Sequence, residues 1–354
     1  MTMTTNIARR FAGNPILVPA DAIASRPDFV VESLLNPGAF TFNGRIGLLI
    51  RVCERPAQEA GWVTLPIFDP AEPTGIRIFR FSNEDPKLVA ADPRVVSYEG
   101  EPLLTTLSHL RLAWSDDGQN FKIEPKPTLI GTGALESYGI EDARVSFLEG
   151  QYLITYSSVS QSGVGVGLIT TRDWKNFTRH GMVISPANKD AAIFEQRING
   201  KYMMLHRPSG VGIGGNYIWL ASSPDLLHWG EHQCIMRPRL SMWDSERIGA
   251  GAAPIPTKKG LIDIYHGADH LSCYSLGAML LDGENPARVL SRSKTPILKP
   301  EAACETSGFF SNVVFTNGHV VNGDALRMYY GAADSVICGA DFSVDEILAS
   351  LPAI

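Results

Sequence analysis

The segment Gly139-Ile-Glu-Asp-Ala-Arg-Val145 places two carboxylates and a guanidinium inside an otherwise apolar run. Successive side chains of a strand point to opposite faces, so Asp142 and Arg144 share one face and Glu141 takes the other. On residue type alone, Asp142 is either a proton donor or the ion-pair partner of Arg144, and Glu141 reads as structural. Four more basic residues, Arg51, Lys189, His206 and Arg207, lie like Arg144 beside apolar strand segments. An unpaired charge there is expensive, and a shared anion site accounts for all five. Arginine offers forked donors to a phosphate and lysine a point charge. His206 and Arg207 are neighbours in a strand, so one of them faces away from any common ligand. Lys258, Lys259 and Arg237 read as ordinary solvated surface.

Strands joined by tight turns must position these groups. The 33 Gly and 23 Pro of the 354 residues are spread along the chain, which favours many short strands. A turn ending in Gly followed by an apolar run recurs at Asn43-Gly44, Glu149-Gly150, Asn199-Gly200, Lys259-Gly260 and Asn322-Gly323. A second hairpin signature recurs at Asp117, Asp173 and Asp225, each followed four residues later by an aromatic: Phe121, Phe177 and Trp229. A strand-built period of roughly 50–60 residues is the mark of a β-propeller with four-stranded blades. The length leaves room for five blades plus terminal extensions, in one catalytic domain spanning 1–354. A large β-sandwich would give short strands but no such repeat. Trp114, Phe121, Phe177 and Trp229 read as staples of the blade hairpins, and Trp219, Tyr265 and Tyr329 as core. The fold class is therefore all-β, a five-bladed β-propeller with a short C-terminal helix. In that helix Ser343 is the N-cap and Glu346 completes a capping box.

Composition removes other functions. The formal charge of −6, without a basic block, argues against nucleic acid or an anionic membrane as partner. Apolar runs such as Ile46–Ile50 are too short to span a bilayer. No apolar stretch after Met1–Arg10 suggests a signal peptide. Five scattered cysteines without a Cys-x-x-Cys pair fit neither a disulfide framework nor a zinc cage, and a cytoplasmic location is expected. The run Gly210-Val-Gly-Ile-Gly-Gly215 looks like a nucleotide loop but sits between strand-like segments, so a flexible hairpin or a site-rim loop is the better reading. No metal or organic cofactor is called for.

Several ordered motifs carry a family resemblance: Gly13-Asn-Pro-Ile-Leu17, Leu35-Asn-Pro-Gly-Ala-Phe40, the Asp142 segment, Asn188-Lys-Asp190, Leu205-His-Arg-Pro208, Tyr265-His-Gly267 and Tyr329-Tyr-Gly-Ala-Ala-Asp334. Over nearly the whole chain the sequence resembles glycoside hydrolase family 130, the β-mannoside phosphorylases and related β-mannosidases. The resemblance implies a five-bladed propeller with a central active site and inverting attack on a non-reducing terminal β-mannosyl unit. It implies Asp142 as the general acid, passing its proton through a mannose hydroxyl, and inorganic phosphate as co-substrate and nucleophile. Phosphate would lie among Arg51, Arg144, Lys189, His206 and Arg207, with Arg51 alternatively on a sugar hydroxyl. Asp334 would grip the mannose, with Asn36 and Tyr138 as further sugar contacts and His266 and Asp269 on the acceptor side. Ala143, Asn188-Lys-Asp190 and Gly308-Phe-Phe310 lean towards members acting on β-1,2-mannobiose and oligomannosides. A mannose-containing oligosaccharide and phosphate are the expected partners, and relatives of this kind are often homo-oligomers.

One departure from the family pattern is Phe194-Glu-Gln-Arg-Ile198. A hydrolytic β-1,2-mannosidase is the first alternative, because an inverting hydrolase needs a second carboxylate to activate water; Glu246 or Glu195 would supply it. A non-catalytic carbohydrate-binding propeller is the second, and the complete Asp142 motif counts against it.

Overall fold

A computed structural model describes residues 7–92, 94–210 and 214–353. Half of the Gly210–Gly215 run and the first six residues lie outside the described residues, so neither the site-rim reading of that run nor the leader reading is addressed. The five units expected from the repeat are five antiparallel sheets. Phe29–Phe42, Arg45–Pro56 and Leu107–Ser115, with the short Lys122–Ile123, form the first blade. The second runs from Gly139–Leu148 through Gln151–Ser160 and Gly163–Thr171 to Phe177–Ile184. A parallel bridge, Gly139 to Ser108, joins these two sheets. The third blade starts at Asn188–Ile193, the fourth at Arg247–Gly249 and the fifth at Val314–Asn322. Arg9–Arg10 pairs with Val336–Ser343, so the fifth blade takes its outer strand from the start of the chain.

Local sequence explains these hairpins. Asn43-Gly44, Glu149-Gly150 and Asn199-Gly200 each have positive φ at both residues, the geometry of a two-residue turn matched to strand twist. Asp117, Asp173 and Asp225 each accept two backbone N–H bonds from the residues two and three positions on, all at 2.7–2.9 Å. Asp282 makes the same turn in the fourth blade. It escaped the repeat because no aromatic follows at the matching place.

Two features differ from expectation. The surplus length is not terminal but internal: five strands between Trp62 and Leu104 form two small sheets beside the first blade. The helix Val344–Ser350 is capped by Ser343, whose hydroxyl accepts the Glu346 N–H at 3.0 Å. The reciprocal half of the capping box is replaced: Glu346 pairs with Arg9 at 2.9 Å, and Asp324 accepts the Asp345 N–H. Tyr265 and Tyr329 are fully buried, as core residues. Among the described residues, no helix is long and apolar enough to cross a membrane.

Candidate active site

The innermost strands break their pairing at one level. Register shifts fall between Leu35 and Gly38, Glu141 and Arg144, Lys189 and Ala192, and Thr316 and Gly318. At three of these bulges a short polar residue takes a left-handed conformation: Asn36 (φ 37°), Asp142 (φ 52°) and Asp190 (φ 54°). Asn and Asp tolerate this region best among residues other than glycine, and a bulge re-aims the side chains beside it. The result is a cavity of about 360 Å³, lined among others by Asn36, Arg51, Glu141, Asp142, Lys189, Asp190, Arg207, Arg247, Tyr274 and Asp334. The insertion contributes Arg94 and Leu104, and the segment before the fifth blade contributes Phe309 and Phe310.

Asp142 is held from two sides: Asn36 Nδ2 donates to its Oδ1 at 3.0 Å and Arg51 Nη1 at 3.2 Å. Burial pushes this carboxyl up, but the Arg51 and Lys189 charges outweigh it, so Asp142 lies below the usual carboxylate range. Asp334 behaves oppositely. Burial raises it to about 6; the Arg51 charge opposes the rise and the Asp142 charge adds to it. Two carboxyls of one cavity are thereby pushed apart in proton affinity, the usual preparation for different roles.

The model of glycoside hydrolase family 130, described as β-1,4-mannooligosaccharide phosphorylase, matches residues 93–352. Over 347 residues the chain is 41% identical to a β-1,2-mannobiose phosphorylase of Listeria innocua, covering 97% of this chain and 98% of that one. The chain belongs to glycoside hydrolase family 130. A 1,2-β-oligomannan phosphorylase of a Thermoanaerobacter species is 40% identical over 68% of this chain and 80% of its own. The structure of a Listeria innocua β-1,2-mannobiose phosphorylase in complex with β-1,2-mannobiose superposes with a TM-score of 0.93 at 40% identity, covering 97% and 98% of the two chains. The five-bladed propeller is the fold of this family 130 enzyme.

Against that geometry the predicted residues of the family 130 enzyme divide. Asn36, Arg51, Asp142, Lys189, Arg207 and Asp334 meet in the cavity. Arg51, expected on phosphate or on a sugar hydroxyl, lines the cavity and is also held by protein: Nη2 donates to Glu141 Oε1 at 2.8 Å, Nη1 to Asp142, and Nε to Ser108 Oγ at 3.1 Å. Glu141 therefore does not face away from Asp142, because the bulge breaks the alternation on which that reading relied.

Arg144 is buried behind the cavity, where its guanidinium donates to Gly251 O at 2.7 Å, Ala250 O at 3.0 Å and Asp190 Oδ1 at 3.1 Å. Those bonds tie it to the protein and leave it out of the cavity wall. His206 points away from Arg207, between Asn188 Oδ1 and His232 Nδ1, both at 3.1 Å. Burial, with His232 beside it, lowers it to about 3, and it does not line the cavity. Tyr138 donates to Pro102 O at 3.1 Å and packs with Leu65, Val96 and Leu103, anchoring the insertion outside the cavity lining. His266 is buried at 3.3 Å from Asp190 Oδ2, and burial lowers it to about 4. Asp269 accepts the N–H groups of Leu271 and Cys273 in its own turn. Neither lines the cavity.

Neither proposed hydrolase base lies in the cavity. Glu246 is exposed in the bend just before the Arg247–Gly249 strand, and its neighbour Arg247 is the residue that lines the cavity, donating to Tyr274 OH at 3.1 Å. Glu195 accepts the Phe147 N–H at 2.8 Å and lines a separate cavity with Ala39, Phe147 and His319. Glu195 lies in a bend two residues past the end of the Asn188–Ile193 strand. The Phe194–Ile198 departure therefore sits away from the chemistry. The sequence reading gave no site role to Arg247, Tyr274 or Asp190, although Asp190 stood in the quoted Asn188-Lys-Asp190 motif.

Proposed function

We propose that this family 130 enzyme phosphorolyses β-1,2-linked mannobiose or oligomannosides. Phosphate displaces the terminal non-reducing mannosyl unit with inversion, giving α-mannose 1-phosphate and a sugar shorter by one residue. The observation that carries this reading is the pairing, in one cavity, of Asp142 with cations that protein groups do not saturate. Lys189 lines the cavity, and Arg207 Nε and Nη1 are both buried without a hydrogen-bond partner among the described residues, although Nε stands 2.8 Å from Asp190 Oδ2 as an ion pair. A buried guanidinium N–H without an acceptor is costly, and a phosphate oxygen satisfies it. Arg247 adds a third positive charge on the same cavity wall.

The division of labour follows from the surroundings. Lys189, Arg207 and Arg247 hold the nucleophile, whose own charge makes a carboxylate base unnecessary. Asn36 and Asp334 hold hydroxyls of the mannose being transferred. Asp142 gives its proton towards the departing oxygen. In the free enzyme Arg51 and Lys189 keep Asp142 ionised; phosphate beside Lys189 weakens that field and raises the carboxyl's hold on a proton. Nucleophile binding thus prepares the acid.

The test is incubation with β-1,2-mannobiose, with and without phosphate, followed by assay of mannose 1-phosphate and free mannose. Phosphate-dependent formation of one mannose 1-phosphate and one mannose is expected. Release of two mannoses without phosphate would establish the hydrolase instead.

A further inference from the structure

Asp190 occupies in the third blade the bulge position that Asp142 occupies in the second, yet it is committed to other groups. Its side chain is 2% exposed, and three nitrogen groups converge on it. Arg207 Nε stands 2.8 Å from Oδ2, Arg144 Nη2 3.1 Å from Oδ1, and His266 Nε2 3.3 Å from Oδ2. Room for this carboxylate and for the His266 ring is made by Gly249, where a Cβ would fall 2.3 Å from Asp190 Oδ2 and 2.5 Å from His266 Cε1.

The three partners depend on Asp190 unequally. Arg144 is fixed independently by the carbonyls of Gly251 and Ala250. His266 is packed against Phe315, ring centroids 4.2 Å apart. For Arg207, Asp190 is the ion-pair partner among the described residues. This ion pair lies on the Nε edge of the guanidinium; Nε and Nη1 are both buried without a hydrogen-bond partner among the described residues, and Arg207 lines the cavity. Asp190 also follows Lys189 directly in the chain, so one bulge sets both cations.

We infer that Asp190 is a positioning residue that holds Arg207 in the orientation required for phosphate, so that it sets affinity for the nucleophile and not for the sugar. The inference rests on the phosphorylase reading above. Asp190 touches neither the reacting carbon nor the departing oxygen; it acts through Arg207.

The experiment is steady-state kinetics of the full-length enzyme with β-1,2-mannobiose and inorganic phosphate for Asp190→Asn, Arg207→Lys and the double variant. Asp190→Asn is expected to raise KM for phosphate about tenfold or more, the usual scale for loss of a charge-assisted contact. KM for mannobiose should stay within about twofold. In the Arg207→Lys background Asp190→Asn should add little, because residues acting as a unit are non-additive. Equal rises in both KM values, or single-variant effects that multiply in the double variant, would overturn the inference. If Asp190→Asn does not fold, Gly249→Ala displaces the same carboxylate and should give the same phosphate-selective defect; a sugar-selective defect refutes it. Wild-type turnover without phosphate would instead overturn the phosphorylase reading itself, a distinguishable outcome.

Discussion

Replacing Lys189 with Ala tests the nucleophile site from the side that Asp190 does not clamp. Lys189 is half-buried, lines the cavity with Asp142 and Arg207, and its charge helps to lower Asp142. Two effects follow. A hydrogen bond to a charged group contributes about 1.5–3 kcal/mol, and about 1.4 kcal/mol is a factor of ten. KM for phosphate should therefore rise roughly ten- to a hundredfold, while KM for mannobiose changes little. The second effect concerns protons. Removing Lys189 leaves Arg51 as the main charge opposing burial, so the Asp142 carboxyl rises towards its ordinary range. An acid must be protonated to act, and its limb is the fall in kcat/KM as pH increases. That limb should move to higher pH in Lys189→Ala. Both are read from initial rates of mannose 1-phosphate formation across phosphate concentration and pH. A variant with unchanged phosphate KM, or with the limb moved to lower pH, would refute the assignment of Lys189 and the account of Asp142 together.

Asp142→Asn keeps the shape of the side chain and removes the proton donor, so turnover should fall about 10²–10⁴-fold with mannobiose binding retained, measured by kinetics and calorimetry. Glu246→Gln and Glu195→Gln should each change kcat less than about threefold, since neither carboxylate lines the Asp142 cavity; abolished turnover in either would restore a hydrolytic base. Asp263 is fully buried, and burial raises it to about 8, against the lowering charge of Arg144. The folded state thus holds a proton that the unfolded chain releases near pH 4, and stability falls as pH rises from there to about 8. At pH 7 the loss is about 4 kcal/mol; Asp263→Asn should remove this slope in denaturant melts at pH 5 and 7 and be the more stable protein at pH 7.

The propeller was legible because its turns are local chemistry. Asn-Gly and Glu-Gly pairs at hairpins, and an aspartate accepting two backbone N–H groups, recur wherever a blade needs a tight connection. Each leaves a mark within a few residues of sequence. The insertion between Trp62 and Leu104 left no such mark, since its strands look like those of any blade and only their pairing sets them apart.

The active site was legible in its members and less so in its directions. Asn36, Asp142, Lys189, Arg207 and Asp334 line one cavity, but strict alternation along a strand turned Glu141 away from that cavity and Arg144 towards it. Both errors have one cause. The bulge between Glu141 and Arg144 inserts an unpaired step, which turns Glu141 onto Arg51 and sends Arg144 back into the channel towards Gly251. A period-two argument fails wherever a residue takes positive φ, and such residues stand at the floor of this site. Asn36, Asp142 and Asp190 are therefore related by more than proximity: each is the residue at which one blade stops being regular sheet. The first blade spends that position on Asn36, which donates to Asp142, the second on Asp142 itself, and the third on Asp190, the carboxylate that pairs with Arg207.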